Sequence, residues 1–70
     1  MKTNLQKIRE EKLLSRAQLA ALSGIKEKTV YNIEENKTVR VQDRIRRGIV
    51  GALGVSHAAL FNKQGVAKVR

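Results

Sequence analysis

The sequence predicts an all-α fold, a compact bundle of five short helices, and three observations carry that prediction. Apolar residues recur at helical spacing in short blocks: Leu5 with Ile8, Leu19 with Ala20, Val30 with Ile33, and Ile45, Ile49, Ala52 and Leu53. Residues that start or stop helices bracket these blocks, with Thr3, Asn4, Ser15, Asp43 and Ser56 ahead of them and Gly24, Asn36 and Gly54 behind. Seventy residues without a Cys make one small domain, whose single core is only just sufficient and must be held by packing alone.

Thr3 or Asn4 can cap a first helix that runs to about Lys12, with Leu5 and Ile8 inward and Lys7, Glu10 and Glu11 outward. Leu13 and Leu14 close the linker. Ser15 stands three residues before Gln18, the capping-box arrangement in which the hydroxyl takes an orphan amide and the Gln reaches back, so the second helix starts at Arg16. Ala20 is small where the next helix must cross closely. Gly24 can end the second helix in a left-handed conformation without a Cβ penalty, which makes it the hinge of a tight turn. The third helix runs from about Glu27 to Glu35, with Lys26 at or next to its start and Asn36 tolerating the left-handed conformation behind it.

From Lys37 to Gln42, Val39 and Val41 alternate with Thr38 and Arg40, but a lone strand has no partner and the segment reads as a loop. Asp43 caps, or stands in the first turn of, a fourth helix to about Leu53. Gly48 and Gly51 each cost about 1 kcal/mol relative to Ala inside it; either they let another backbone come close or the helix is soft. Ser56 caps a last helix, Ala58 to Phe61, that returns Leu60 and Phe61 to the core. Residues 62–70, NKQGVAKVR, have no helical period and read as a basic tail. The chain divides on this reading into a domain of residues 1–61 and a tail of residues 62–70.

Fifteen Lys and Arg against six acids give a formal charge of +9, which points to a polyanion as partner. A cationic amphipathic chain can also lie on an anionic membrane, but here the apolar residues are spread over segments that fold on each other, with one Tyr, one Phe and no Trp to anchor an interface. The longest mostly apolar run, Gly48 to Val55, is far short of the roughly 20 residues that cross a bilayer, and the N-terminus lacks the apolar core of a signal peptide. A cytoplasmic protein is expected.

Catalysis is poorly supplied. His57 is the one His, and it is expected at the surface. Glu10 with Glu11 and Glu34 with Glu35 are adjacent on helices, which points the members of each pair in different directions. With no Gly-rich phosphate loop and no nucleophile elbow, neither a catalytic residue, a metal ligand nor a cofactor is assigned.

The stretch RAQLAALSGIKEKTVYNIEENK, from Arg16 to Lys37, resembles the helix-turn-helix of the phage repressor and Cro-type (XRE-like) family. That pattern is an aliphatic residue, Ala, a Gly four positions on, an aliphatic residue next, and two aliphatics closing the second helix. Leu19, Ala20, Gly24, Ile25, Val30 and Ile33 fill those places. LQKIREEKLLS before the unit and ALGVSHAALF after it are similar to the family's flanks, so the resemblance covers residues 4 to 61.

The resemblance implies a lambda-repressor-like DNA-binding domain, a transcriptional repressor that reads the major groove of double-stranded DNA with the third helix. With Val30 and Ile33 inward, the outward face of that helix is Glu27, Lys28, Tyr31 and Asn32. By resemblance Glu27, Lys28 and Asn32 match base-reading positions, and Lys26 and Thr29 match the helix start that meets phosphate or base edges. The chemistry suits this, since Lys donates to guanine, Asn pairs bidentately with adenine and Glu accepts from cytosine N4. Glu27 can instead be an exposed residue that the macrodipole favours near a helix start.

Ser15 and Arg16 match the family's phosphate-facing positions at the second helix, although Arg16 stands where the family often has Gln. Lys37 and Arg40 match loop residues that face the other strand. Arg44, Arg46 and Arg47 are left open between phosphate contact and a solvated face. Arg9 and Glu34 match a partly buried ion pair that bridges the first and third helices and orients the reading helix.

One helix in one groove reads few base pairs, so a weak homodimer, favoured on an inverted-repeat operator, is expected. Val55, Ala59, Val66 and Val69 are the apolar candidates for its interface. The rival in another class is an antitoxin or adaptor that uses the same fold to bind a partner protein. An RNA binder would want more stacking aromatics than Tyr31 and Phe61.

Overall fold

The computed structural model describes residues 2–37 and 40–69. Thr38 and Val39, the centre of the expected loop, lie outside the described residues. Five helices follow in order: α1 Asn4–Glu11, α2 Arg16–Ser23, α3 Glu27–Glu34, α4 Asp43–Leu53 and α5 His57–Leu60. The fold is all-α, a globule measuring 25 × 23 × 22 Å.

The caps explain where the helices begin and end. Thr3 caps α1 by accepting from the Gln6 amide, and Ser15 and Gln18 complete both bonds of the capping box at α2. Gly24 closes α2 in the left-handed region at φ 71°, its amide reaching the Ala20 and Ala21 carbonyls. Asn36 takes the same conformation after α3 at φ 57°. α3 stops at Glu34, with Glu35 as its C-cap. α5 lies one residue earlier than expected, and Ser56 stands at its N-cap position without a side-chain bond.

The apolar faces meet in one core, where Leu5, Leu19, Val30, Ile49 and Leu60 are fully buried and Ala20, Ile33, Val41, Leu53 and Phe61 nearly so. α2 is the hub, packed against both α3 and α4, while α5 closes on α4 and α1. The two α4 glycines separate here. A Cβ on Gly48 would lie 2.5 Å from the Ser23 carbonyl oxygen at the end of α2, whereas one on Gly51 would meet nothing within 4 Å. Gly48 is what allows α4 and α2 to touch through backbone.

Residues 62–69, expected as a basic tail, run back over the domain. Asn62 Oδ1 accepts from the Gln64 and Val66 amides, turning the chain, and the Lys68 amide then donates to the Leu60 carbonyl at 2.8 Å. Isolated antiparallel bridges join Phe61 to Ala67 and Thr3 to Val69. The Val41 amide donates to the Gly65 carbonyl at 2.9 Å. Helical periodicity could not reveal this segment, because its order comes from a turn at Asn62 that folds it back on Leu60 and Phe61, and from pairing with Thr3 and Val41 far away in the chain.

Candidate nucleic-acid interface

The reading helix is set by a buried carboxylate. Glu34, whose side chain is fully buried, accepts from Arg9 Nε at 2.6 Å and Nη2 at 3.1 Å, and from Arg16 Nε at 2.9 Å. Arg9 also donates through Nη1 to the Leu14 carbonyl at 2.8 Å. α1, the α1–α2 linker and the start of α2 are thereby tied to one residue in the last turn of α3. A charge so far out of water holds only when each lone pair is met, and here two guanidinium groups meet them.

On the outer surface of α3, Glu27, Lys28 and Tyr31 are exposed, and Thr29 and Asn32 are half-buried. Lys26 is the exposed N-cap and makes no side-chain cap bond. The helix has two unlike flanks. Along one, Arg16, Glu27, Lys28 and Tyr31 line an open notch of about 390 Å³. Along the other, Thr29, Asn32, Arg40, Gln42 and Ile45 edge a groove of about 310 Å³ between α3 and the start of α4.

Arg16 is half-buried rather than splayed into solvent. Besides Glu34 it donates through Nη2 to Glu35 at 3.3 Å, and its guanidinium lies 4.8 Å from the centre of the Tyr31 ring. The hydrogen bond to Glu34 raises the Arg16 pKa above its ordinary, already high value. Lys37 Nζ lies 5.0 Å from the same ring, so Lys37 is on the flank of Arg16 and Arg40 is on the other.

Ser15 spends its hydroxyl oxygen on the Gln18 amide. Among the described residues, Lys26, Lys28, Lys37 and Arg40 enter no ion pair, and so keep their charge available to an outside anion. Of the three arginines left open in α4, Arg46 is turned inward, onto the Val41 carbonyl and Asp43 Oδ1, and Arg47 pairs with Asp43 at 2.7 Å. Arg44 is exposed.

Two features were not read from the sequence: the second guanidinium on Glu34, and the ring between Arg16 and Lys37. Tyr31 was visible as an outward residue, but nothing in residue spacing places Arg16, fifteen residues away, over it. Among the described residues no His, Asp or Glu cluster could hold a metal ion, and no helix is long and apolar enough to cross a membrane.

Neither a curated relative nor a solved structure matches the chain. A family model described as helix-turn-helix matches residues 5–60, from the core residue Leu5 in α1 to Leu60 at the end of α5. With α2, the Gly24 turn and α3 arranged as described, the chain belongs to the XRE/Cro-type helix-turn-helix family of DNA-binding regulators.

Proposed function

We propose that this regulator is a sequence-specific repressor that reads the major groove of double-stranded DNA with α3. The observation that supports it most is the set of unpaired cations, Lys26, Lys28, Lys37 and Arg40, disposed around an outward helix face whose orientation is held by the buried Glu34. Lys28 and Asn32 read bases, and Glu27 accepts from a cytosine amino group. Ser15, Arg16, Lys26, Thr29, Lys37 and Arg40 hold the phosphate backbone on either side. Residues 1–61 form the DNA-binding unit and residues 62–70 its basic tail, of which residues 62–69 brace the domain. The protein works in the cytoplasm, on the nucleoid, with neither a cofactor nor a membrane involved.

Two protomers bind an inverted-repeat operator as a weak dimer formed on DNA. Val55, Ala59 and Val66, half-buried, and Val69, exposed, supply its apolar contacts. Their recognition helices then enter successive major grooves about 34 Å apart. Selection of bound fragments from random DNA, followed by footprinting and a salt titration, tests this reading. It expects an inverted repeat and a log affinity against log salt slope steeper than about −2, since each displaced phosphate counterion adds about −0.9. A single protomer on an asymmetric site would overturn the dimer. Weak binding without preference between the selected and random duplexes would overturn sequence reading and favour an adaptor that masks a partner protein.

A further inference from the structure

Tyr31 stands on the surface of α3 with its ring against two cations brought from opposite ends of the helix-turn-helix. Arg16 is the first residue of α2 and Lys37 follows α3, yet both lie within 5 Å of the ring centre. Arg16 cannot drift, because Glu34 holds its Nε at 2.9 Å and Glu35 its Nη2 at 3.3 Å. The stack therefore has a fixed base, a buried carboxylate, then a guanidinium, then an aromatic ring. The ring in turn attracts the Lys37 ammonium through its negative face.

Among the described residues no group bonds to the Tyr31 hydroxyl. A phenol O–H is a good donor to an anionic oxygen, and Lys37, which enters no ion pair among the described residues, stands 5.0 Å from the centre of this ring and draws such an oxygen in. The two neighbouring carboxylates, Glu34 and Glu35, are balanced by Arg9 and Arg16 together. Polyanion chemistry, rather than base-edge chemistry, fits a donor whose ring lies against two cations.

We infer that the Tyr31 hydroxyl donates to one DNA phosphate oxygen, with Lys37 as the neighbouring charge and Arg16 as the positioning residue that fixes the ring. This rests on the DNA-binding reading above and adds to it a contact outside the base-reading set. Arg16 acts twice in it, through its remaining Nη1 on the backbone and through the ring it carries.

The test uses the full chain, a duplex recovered by selection and a random duplex. Tyr31→Phe should weaken binding to both duplexes alike by about 3- to 10-fold, the loss of one hydrogen bond, and leave the salt slope unchanged because no charge is removed. Replacing single phosphates by methylphosphonate should identify one position that costs the wild type about 3- to 10-fold more than it costs Tyr31→Phe, the loss common to both being the Lys37 charge. Arg16→Lys, which keeps the charge but not the fork that spans Glu34 and Glu35, should remove that extra cost at the same phosphate. A Tyr31→Phe variant that binds like wild type, or that loses affinity on the selected duplex alone, would overturn the phosphate contact and leave the DNA-binding reading standing. Failure of the wild type to bind either duplex would overturn both.

Discussion

The two halves of the molecule are held by different physics. Residues 2–37 carry three helices whose ends are written in neighbouring residues, Thr3 with Gln6, Ser15 with Gln18, Gly24 with Ala20, and whose mutual orientation hangs on one buried carboxylate. Residues 40–69 carry α4, α5 and a returning segment that are fixed against the rest of the domain by non-local contacts: Gly48 on Ser23, Gly65 on Val41 and Arg46, Val69 on Thr3. The first half presents α3 and the second backs it. Where a fold concentrates its orientation in one ion pair, a single side chain can misdirect the site; where it spreads the work over backbone contacts, the sensitive positions are glycines.

The largest expected effect tests the first half. Arg9→Ala or Glu34→Ala alone should cost about 3–5 kcal/mol, because each breaks a buried ion pair by removing one member. Replacing both should cost less than the sum of the two, by double-mutant cycle in urea. Arg16 complicates the cycle in a useful way. Since it also donates to Glu34, Arg9→Ala leaves the carboxylate one guanidinium, whereas Glu34→Ala leaves the buried Arg9 only Glu10 at 3.9 Å and Arg16 only Glu35, so Glu34→Ala should be the worse. Equal costs, or strictly additive ones, would mean that the buried carboxylate is not the hub of this half.

Next come the glycines of the second half. Gly65 sits at φ 80°, and a Cβ there would collide with the Arg46 guanidinium where that group bonds the Val41 carbonyl. Gly65→Ala should combine left-handed strain with loss of that anchor, at about 2 kcal/mol. Gly48→Ala should cost about 1–3 kcal/mol by forcing α4 off the Ser23 carbonyl, despite Ala's better helix propensity. Gly51→Ala, where there is open space, should stabilise by up to about 1 kcal/mol. Thermal unfolding of the pair checks the argument: a same-sign shift for Gly48→Ala and Gly51→Ala would show that propensity, not the α2–α4 approach, governs both.

This contrast also explains what was legible. The five helices, the Gly24 hinge and the α3 outer face follow from spacing and caps, which are local properties of the chain. Gly48 and Gly51 look alike in the sequence, because only the path of α2 distinguishes them. The segment 62–69 carries no helical period, and although it turns back on Phe61 and Leu60 nearby, its pairing with Thr3 and Val41 had no local signal. At the site, outward residues could be named from helix phase, but Arg16 could not be placed over Tyr31, since that depends on how α2 crosses α3. Arg46 facing inward has the same cause: its direction is set by the returning chain.

The smallest expected effect lies at a position where the locally encoded half breaks its own rule. Leu13, in the linker between α1 and α2, has φ 59° and is 89% exposed. A left-handed conformation costs a side-chain-bearing residue about 1–2 kcal/mol, and an exposed Leu regains nothing by burial. The linker nonetheless requires that geometry, because the Leu13 amide donates to the Glu10 carbonyl and the Leu14 amide to the Arg9 carbonyl, which together turn the chain toward Ser15. Leu13→Gly removes the strain but gives the unfolded chain more freedom, about 0.5–1 kcal/mol in the opposite direction. The net should be stabilisation by less than about 1 kcal/mol, a rise in melting temperature of a few degrees for a domain this small. Leu13→Asn, which tolerates the left-handed region with less added chain entropy, should match or exceed it. Destabilisation by both substitutions would show that the Leu13 side chain packs against something in solution, and that the first half is not as self-contained as its caps suggest.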